Sequence, residues 1–154
     1  MAANGILIGL GSPIMSDDGI GLLAAQQVHK RLSGFDLDIT CGGGFEVVDI
    51  IQDYGVAVVI DAMVTGRFEP GTLVRLDVDT DITTLRSGPS HALNFVEALE
   101  VARSCKTPLP ATIVIYAIEV KEVRKVSDNV SKVLLDRLPE MVEEIVQDIE
   151  SLGK

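Results

Sequence analysis

The sequence contains no tryptophan and only 4% aromatic residues in 154, so aliphatic side chains must build its core. Two cysteines, Cys41 and Cys105, form no Cys-x-x-Cys pair and no disulfide framework. Each is more typical of a small packed side chain than of a nucleophile. No apolar run approaches the length of a membrane span, and the first residues lack a basic targeting segment. We therefore expect a cytoplasmic protein that does not enter a membrane.

Basic residues are also scarce. Lysine and arginine total 13 against 23 aspartates and glutamates, which gives a net charge of −10. That balance argues against nucleic acid and anionic membrane surfaces as partners, and it is compatible with a basic partner or a cation. The acidic surface also favours a monomer. The apolar fraction of 47% excludes disorder, and the length fits one domain over residues 1–154.

Several catalytic motifs are missing. The first glycine-bearing loop has Gly-x-Gly, but Ile14 occupies the place where a dinucleotide fingerprint needs its third glycine. The sequence has no Gly-Lys-Ser/Thr phosphate loop, no Gly-x-Ser-x-Gly elbow and no His-Glu-x-x-His. Nucleotide binding, serine hydrolysis and zincin chemistry are therefore not favoured.

That glycine-bearing loop, residues 9–19, organises the chain. An apolar run precedes it and an amphipathic segment follows, which predicts a strand, a loop and a helix start. Asp17 and Asp18 lie where the helix begins. Aspartate is a preferred N-cap, which accounts for one of them, but a second adjacent carboxylate needs another explanation.

The hydrophobic pattern predicts the order β-α-β-α-β-β-α-β-α. We expect a single three-layer α/β domain with about five mostly parallel strands, one antiparallel, and helices on both faces. Right-handed crossovers would place the first and last helices on the same face. The predicted strands are Gly5–Leu10, Phe35–Thr40 at an edge, Val56–Ile60, Thr72–Leu76 as the antiparallel strand, and Ala111–Ile118.

Two further side chains fall at the ends of predicted elements. Asp61 follows the most hydrophobic strand, where ligands bind in open α/β sheets. His91 lies in the first turn of a helix, where the dipole keeps imidazole neutral and able to bind a metal. With Asp18 they offer two carboxylates and one imidazole, a set that suits a divalent first-row metal and leaves coordination positions open. The three glycines Gly42–Gly44 predict a tight loop beside that site.

Two alternatives remain at this point. In a phospho-acceptor receiver domain, Asp17, Asp18, Asp61 and Lys121 would form the acidic pocket and its lysine. That layout leaves His91 and the three glycines without a role. A non-catalytic metal-binding assembly module is the second alternative.

The chain resembles the hydrogenase maturation endopeptidases, which process the large subunit of nickel–iron hydrogenases. The resemblance covers nearly the whole chain, and the Asp-Asp-Gly of the first motif is its most specific part. One departure is Ser12, where the family usually has asparagine. The matching segments are Gly9–Ser12, Asp17–Gly21, Gly42–Gly44, Val58–Ala62, Pro70-Gly71, Ser90-His91 and Leu138-Pro139.

By position, the resemblance implies that Asp18, Asp61 and His91 are the catalytic residues and metal ligands, whereas Asp17 is not a ligand. It implies an endopeptidase that removes a C-terminal extension from the large-subunit precursor after nickel insertion. The nickel is then supplied by the substrate, or another divalent metal occupies the same site. The implied partner is the precursor itself.

Overall fold

The computed structural model describes residues 4–77, 91–121, 126–127 and 129–152, with the backbone alone at 77 and 91–93. A short 3-10 helix, Ser16–Gly19, precedes α1. No helix in these ranges is long and apolar enough to cross a membrane. The elements are β1 (Gly5–Leu10), α1 (Ile20–Arg31), β2 (Phe35–Thr40), α2 (Gly44–Ile51), β3 (Val56–Met63), β4 (Leu73–Asp77), α3 (His91–Ser104), β5 (Thr112–Glu119) and α4 (Lys132–Leu152).

The five strands form one sheet in the order β2-β1-β3-β5-β4. All neighbours are parallel except β4, which runs antiparallel to β5. The predicted α/β architecture, the position of β2 at an edge and the antiparallel β4 are confirmed. The central strands β1, β3 and β5 are buried on both faces, which explains their continuous apolar runs.

Side chains that alternate along the strands divide the core into two layers. In β3, Val59 and Met63 join the layer under α2 and α3, whereas Val58 and Ile60 join the layer under α1 and α4. The first and last helices therefore share a face, as predicted. The last helix is continuous through Pro139 and buries the regularly spaced residues Leu134, Leu138, Met141, Val142, Ile145, Val146 and Ile149.

Candidate active site

The sheet reverses its direction of winding between β1 and β3. The chain leaves β1 through α1 to β2 on one side, and returns through α2 to β3 on the other side. The helices that follow β1 and β2 lie on opposite faces, so a crevice opens at the carboxyl ends of β1 and β3. Asp18 follows β1 and Asp61 lies near the end of β3, which brings both to this edge.

Gly11 fixes the loop that leaves β1. Its φ of +142° suits glycine, and a Cβ there would lie 2.2 Å from the carbonyl oxygen of Asp18. Its N–H donates to the carbonyl of Thr40 at the end of β2. The loop therefore closes back on the 3-10 helix and holds it against the sheet.

Asp18 is 7% exposed and accepts a hydrogen bond of 2.7 Å from the N–H of Ser12. The carboxylate thus tightens its own loop. Gly19, at the N-cap of α1, makes no side-chain capping bond. The interpretation of Asp18 as a simple helix cap is wrong, because its carboxylate turns back to the loop instead.

Asp17 forms its hydrogen bonds with a different part of the chain. It is 1% exposed, and its Oδ1 accepts hydrogen bonds from both the N–H and the hydroxyl of Ser131, at 2.8 and 2.7 Å. Ser131 directly precedes α4, so Asp17 ties the 3-10 helix to the start of the last helix. This contact gives the second carboxylate of the pair a structural role.

Asp61 lies inside β3, which extends to Met63 rather than ending at Ile60 as predicted. It is fully buried, and its Oδ1 accepts the N–H of Ala62 at 2.8 Å. Strand alternation places its side chain on the same face as Val59 and Met63, towards α2 and α3. A buried carboxylate in an apolar layer is costly, so its retention there is typical of a functional group.

Close backbone contact brings α1 onto this strand end. A Cβ on Gly21 would lie 2.6 Å from the carbonyl oxygen of Leu10, 2.8 Å from that of Ile60 and 3.3 Å from the Cα of Asp61. Only glycine permits this approach. Because Asp18 lies one turn before Gly21, the close contact holds the loop of Asp18 at the strand that carries Asp61.

His91 is the first residue of α3. That helix leads into the parallel strand β5, so it begins at the carboxyl edge of the sheet. Its first turn approaches the glycine loop, since a Cβ on Gly44 would lie 2.2 Å from the carbonyl oxygen of Asn94. The side chain of His91 lies outside the described residues. The three-ligand cluster therefore stays a prediction, and the described part of the chain holds no group of three His, Cys, Asp or Glu side chains suited to a metal.

The tight loop that was predicted at Gly42–Gly44 is confirmed, and its glycines do not adopt positive φ. In the described ranges the glycines with positive φ are Gly11, Gly34, Gly66 and Gly71. In the loop, the N–H of Gly42 donates to the hydroxyl of Thr40, and Gly44 opens α2 against α3. Gly42 and Gly44 approach neighbouring atoms closely, whereas a Cβ on Gly43 would meet nothing within 4 Å.

Sequence reasoning missed Glu119, the last residue of β5, which is 2% exposed. Its carboxylate accepts hydrogen bonds from the N–H and hydroxyl of Thr65 and from the N–H of Gly66. Glu119 therefore clamps the chain that leaves β3, a few residues after Asp61. Its position at the end of a buried strand, like that of Asp61, was the signal that could have identified it.

Comparison with known proteins decides the family. The family model described as HycI, hydrogenase maturation protease, matches residues 37–148, which is most of the chain. The chain belongs to this family. Members of the family are hydrolases that act on peptide bonds, and this maturation protease is therefore an enzyme.

Solved structures of other maturation proteases share its fold. HybD from Thermococcus kodakarensis is 22% identical with a TM-score of 0.71, and the match covers 100% of both chains. HybD from E. coli is 17% identical with a TM-score of 0.77, and the match covers 99% of this chain and 94% of that one. A hydrogenase 2 maturation peptidase from a Thaumarchaeota archaeon is 23% identical with a TM-score of 0.60, over 97% and 98%. No curated protein matches the chain.

Family membership favours the peptidase over the two alternatives, the receiver domain and the non-catalytic metal-binding module. A peptidase family accounts for the whole α/β domain, whereas the receiver and the non-catalytic module were proposed from a few polar residues. Lys121, which the receiver interpretation required, is exposed at the end of β5. In the maturation protease, the carboxyl ends of β1 and β3 instead lie beside two buried carboxylates, Asp18 and Asp61.

Proposed function

We propose that this maturation protease removes the C-terminal extension of a nickel–iron hydrogenase large-subunit precursor after nickel insertion, and that it recognises the nickel of its substrate. The observation that carries the proposal is the pair of buried carboxylates, Asp18 and Asp61, at the crevice between β1 and β3. We further propose that it acts in the cytoplasm as a monomer.

In this proposal Asp18, Asp61 and His91 contact the precursor's nickel. Two carboxylate oxygens and one imidazole nitrogen, with no thiolate, bind a first-row metal loosely and complete the coordination of one that arrives with other ligands. The protease then needs no resident metal, although another divalent metal would fit the same donors. Family membership and the geometry of the two carboxylates support this assignment.

The same contacts would bring the scissile peptide beside the carboxylates. A water molecule polarised by the metal or by a carboxylate then attacks the peptide carbonyl. We propose no covalent intermediate, because that role needs an activated nucleophile. The two cysteines, Cys41 and Cys105, are exposed, so the expectation that they are packed side chains is wrong. The sequence offers neither of them an obvious base partner.

The test is a cleavage assay with nickel-loaded and nickel-free large-subunit precursor, followed by mass spectrometry of the C-terminal tail. We expect cleavage of the nickel-loaded form alone. Asp61→Ala and His91→Ala should abolish cleavage while the far-ultraviolet circular dichroism stays native. Glu97→Ala, an exposed change on the same helix as His91, is the matched control and should cleave at the wild-type rate.

Two outcomes would contradict the proposal. Wild-type rates in both Asp61→Ala and His91→Ala would remove those residues from the site. Equal cleavage of both precursor forms would leave the protease standing but remove nickel from recognition.

A further inference from the structure

One edge of the sheet ends in β2, and the described part of the chain places no strand beyond it. The strand runs six residues, from Phe35 to Thr40, and most of its side chains are only half buried. Such an edge presents a row of backbone donors and acceptors, and an extended peptide can pair with them. The sequence around it indicates what kind of peptide that would be.

The register shows which backbone groups face outward. The N–H of Gly5 donates to the carbonyl of Gly34, and the N–H of Gly11 donates to the carbonyl of Thr40. In a parallel ladder, the N–H and C=O groups of alternate residues point to the same neighbouring strand. The backbone groups of the even-numbered residues of β2 therefore point to β1, and those of the odd-numbered residues point to the open side. Leu37 and Ile39 therefore offer their N–H and C=O groups to a further strand.

The outward carbonyl of Phe35 is already engaged, because Nε2 of His29 lies 2.9 Å from it. This contact closes the edge at the start of β2. Pairing with an added strand is thus confined to the half of β2 that leads to the active site.

The chain that forms β2 and α2 carries charges of one sign only. Between Arg31 and Arg67 the sequence has no lysine, arginine or histidine. The β2–α2 flank, as we call it, consists of the carboxylates on or beside β2 and α2: Asp36, Asp38, Glu46, Asp49 and Asp53.

Contacts and charge interactions place four of these carboxylates, all except Asp49, along the edge. Tyr54, after α2, donates a hydrogen bond of 2.6 Å to Asp36 at the start of β2. At the other end the hydroxyl of Thr40 donates to Glu46. The hydrogen bond to Asp36 is the main cause that raises the pKa of Tyr54 above its ordinary value, and the negative charges of Asp38 and Asp53 raise it further. The acidic row therefore runs the length of the strand.

The edge also leads to the catalytic crevice. β2 is parallel to β1, so its carboxyl end lies on the same side of the sheet as Asp18 and Asp61. Beyond Thr40 the chain continues into the glycine loop, where a Cβ on Gly43 would meet nothing within 4 Å. A peptide paired with β2 can pass this open point and turn towards the site.

We infer that the open edge of β2 binds an extended, basic segment of the precursor as an added strand, with its positive side chains against the β2–α2 flank. This inference rests on the proposed function for the identity of the partner. Backbone pairing at Leu37 and Ile39 supplies the extended geometry, and the five carboxylates select positive charge.

The first experiment uses a blocked synthetic peptide that alternates lysine and valine, with a glutamate–valine peptide as its counterpart. We expect the basic peptide to bind, and to slow hydrogen exchange at the amides of Leu37 and Ile39 in two-dimensional NMR spectra. No binding would overturn the inference, and the acidic row would then serve only to block edge pairing. Binding without slower exchange at those amides would overturn strand addition as well.

Charge reversal supplies the matched variants. Asp38 and Asp53 lie on the β2–α2 flank, and Asp38→Lys with Asp53→Lys should weaken peptide binding roughly tenfold at low ionic strength and much less at high. Asp136→Lys with Glu140→Lys makes the same change of charge on α4, at the opposite face of the sheet, and should leave binding within about twofold.

The precursor assay separates this inference from the proposed function. For Asp38→Lys with Asp53→Lys we expect a raised KM with kcat retained. Cleavage with an unchanged KM would overturn the binding edge and leave the maturation protease standing. Peptide binding at β2 by a protein that cleaves no precursor would support the edge and overturn the proposed function.

Discussion

Gly21 is the residue at which α1 comes closest to the ends of β1 and β3. A methyl group there would overlap the carbonyl oxygens of Leu10 and Ile60, so Gly21→Ala must push α1 away from the sheet. We expect a loss of stability of about 1–3 kcal/mol, measured by thermal denaturation. Cleavage of the precursor should fall further than stability explains, because the loop of Asp18 moves with the helix.

Gly19 provides the control for this substitution. A Cβ at Gly19 would meet its neighbours at 3.7 Å or more, which is ordinary contact, and its φ of −73° suits alanine. Gly19→Ala should therefore change stability by less than about 0.5 kcal/mol and retain cleavage. Equal effects of the two substitutions would show that the close approach at Gly21 is not what positions the site.

For the acidic pair, the sequence predicted that the residues matter but not which partners they bind. The pattern singled out Asp17 and Asp18 because two adjacent carboxylates exceed what a helix cap needs. It did not predict that Asp17 binds Ser131, since that partner lies 114 residues further along the chain. The partners of Glu119 could not be predicted for a similar reason, because the amides that donate to it belong to a loop after another strand. Local patterns identify polar residues at strand ends, whereas their partners depend on the tertiary fold.

Among the elements, the strands were predicted most accurately. The predicted bounds of β1 and β2 agree with the structure, because uninterrupted apolar or alternating runs end at glycine or polar residues. β3 was predicted too short, since a carboxylate was taken to end the strand and Asp61 instead continues it. The short 3-10 helix before α1 was also not foreseen, because buried Asp17 and Asp18 take partners outside the helix.

Helices α1 and α4 are joined by an ion pair between Arg31 and Glu143, whose side chains are 45% and 46% exposed. The hydrogen bond from Arg31 is the largest cause that lowers the pKa of Glu143, and Gln147 adds to it. A carboxyl group with a lowered pKa stabilises the fold above its unfolded pKa, and the effect is lost as pH falls through the folded value. Wild type should therefore melt slightly above Glu143→Gln at neutral pH, and the two should converge in acid.

Thermal denaturation across that pH range measures the difference. Glu97→Gln, an exposed carboxylate on α3, is the control and should melt like wild type throughout. The effect of the pair should also shrink with added salt, because both side chains are solvated. A difference between wild type and Glu143→Gln that persists unchanged in acid would assign it to packing rather than charge.

At the scale of the whole molecule, the buried and the exposed carboxylates occupy different parts of one sheet. The carboxyl ends of β1 and β3 carry the buried carboxylates, the start of α3 brings His91 to the same side, and the outer strand β2 offers an acidic edge. The net charge of −10 therefore includes charges of two kinds. Asp18 and Asp61 are buried at the proposed site, whereas the exposed carboxylates would be available to the basic partner that we propose.

This division leads to a prediction about metal. If the nickel belongs to the precursor, protein treated with a chelator and then freed of it should process nickel-loaded precursor at the untreated rate. In the proposed site, the donors of Asp18, Asp61 and His91 would hold a metal too loosely to keep one through that treatment, yet they would still contact nickel that the precursor's own ligands retain. Removal of nickel from the precursor should abolish cleavage, as judged by mass spectrometry of the released tail. Activity that is lost on chelation of the protease and restored by metal added to it would instead show a resident cofactor at this site.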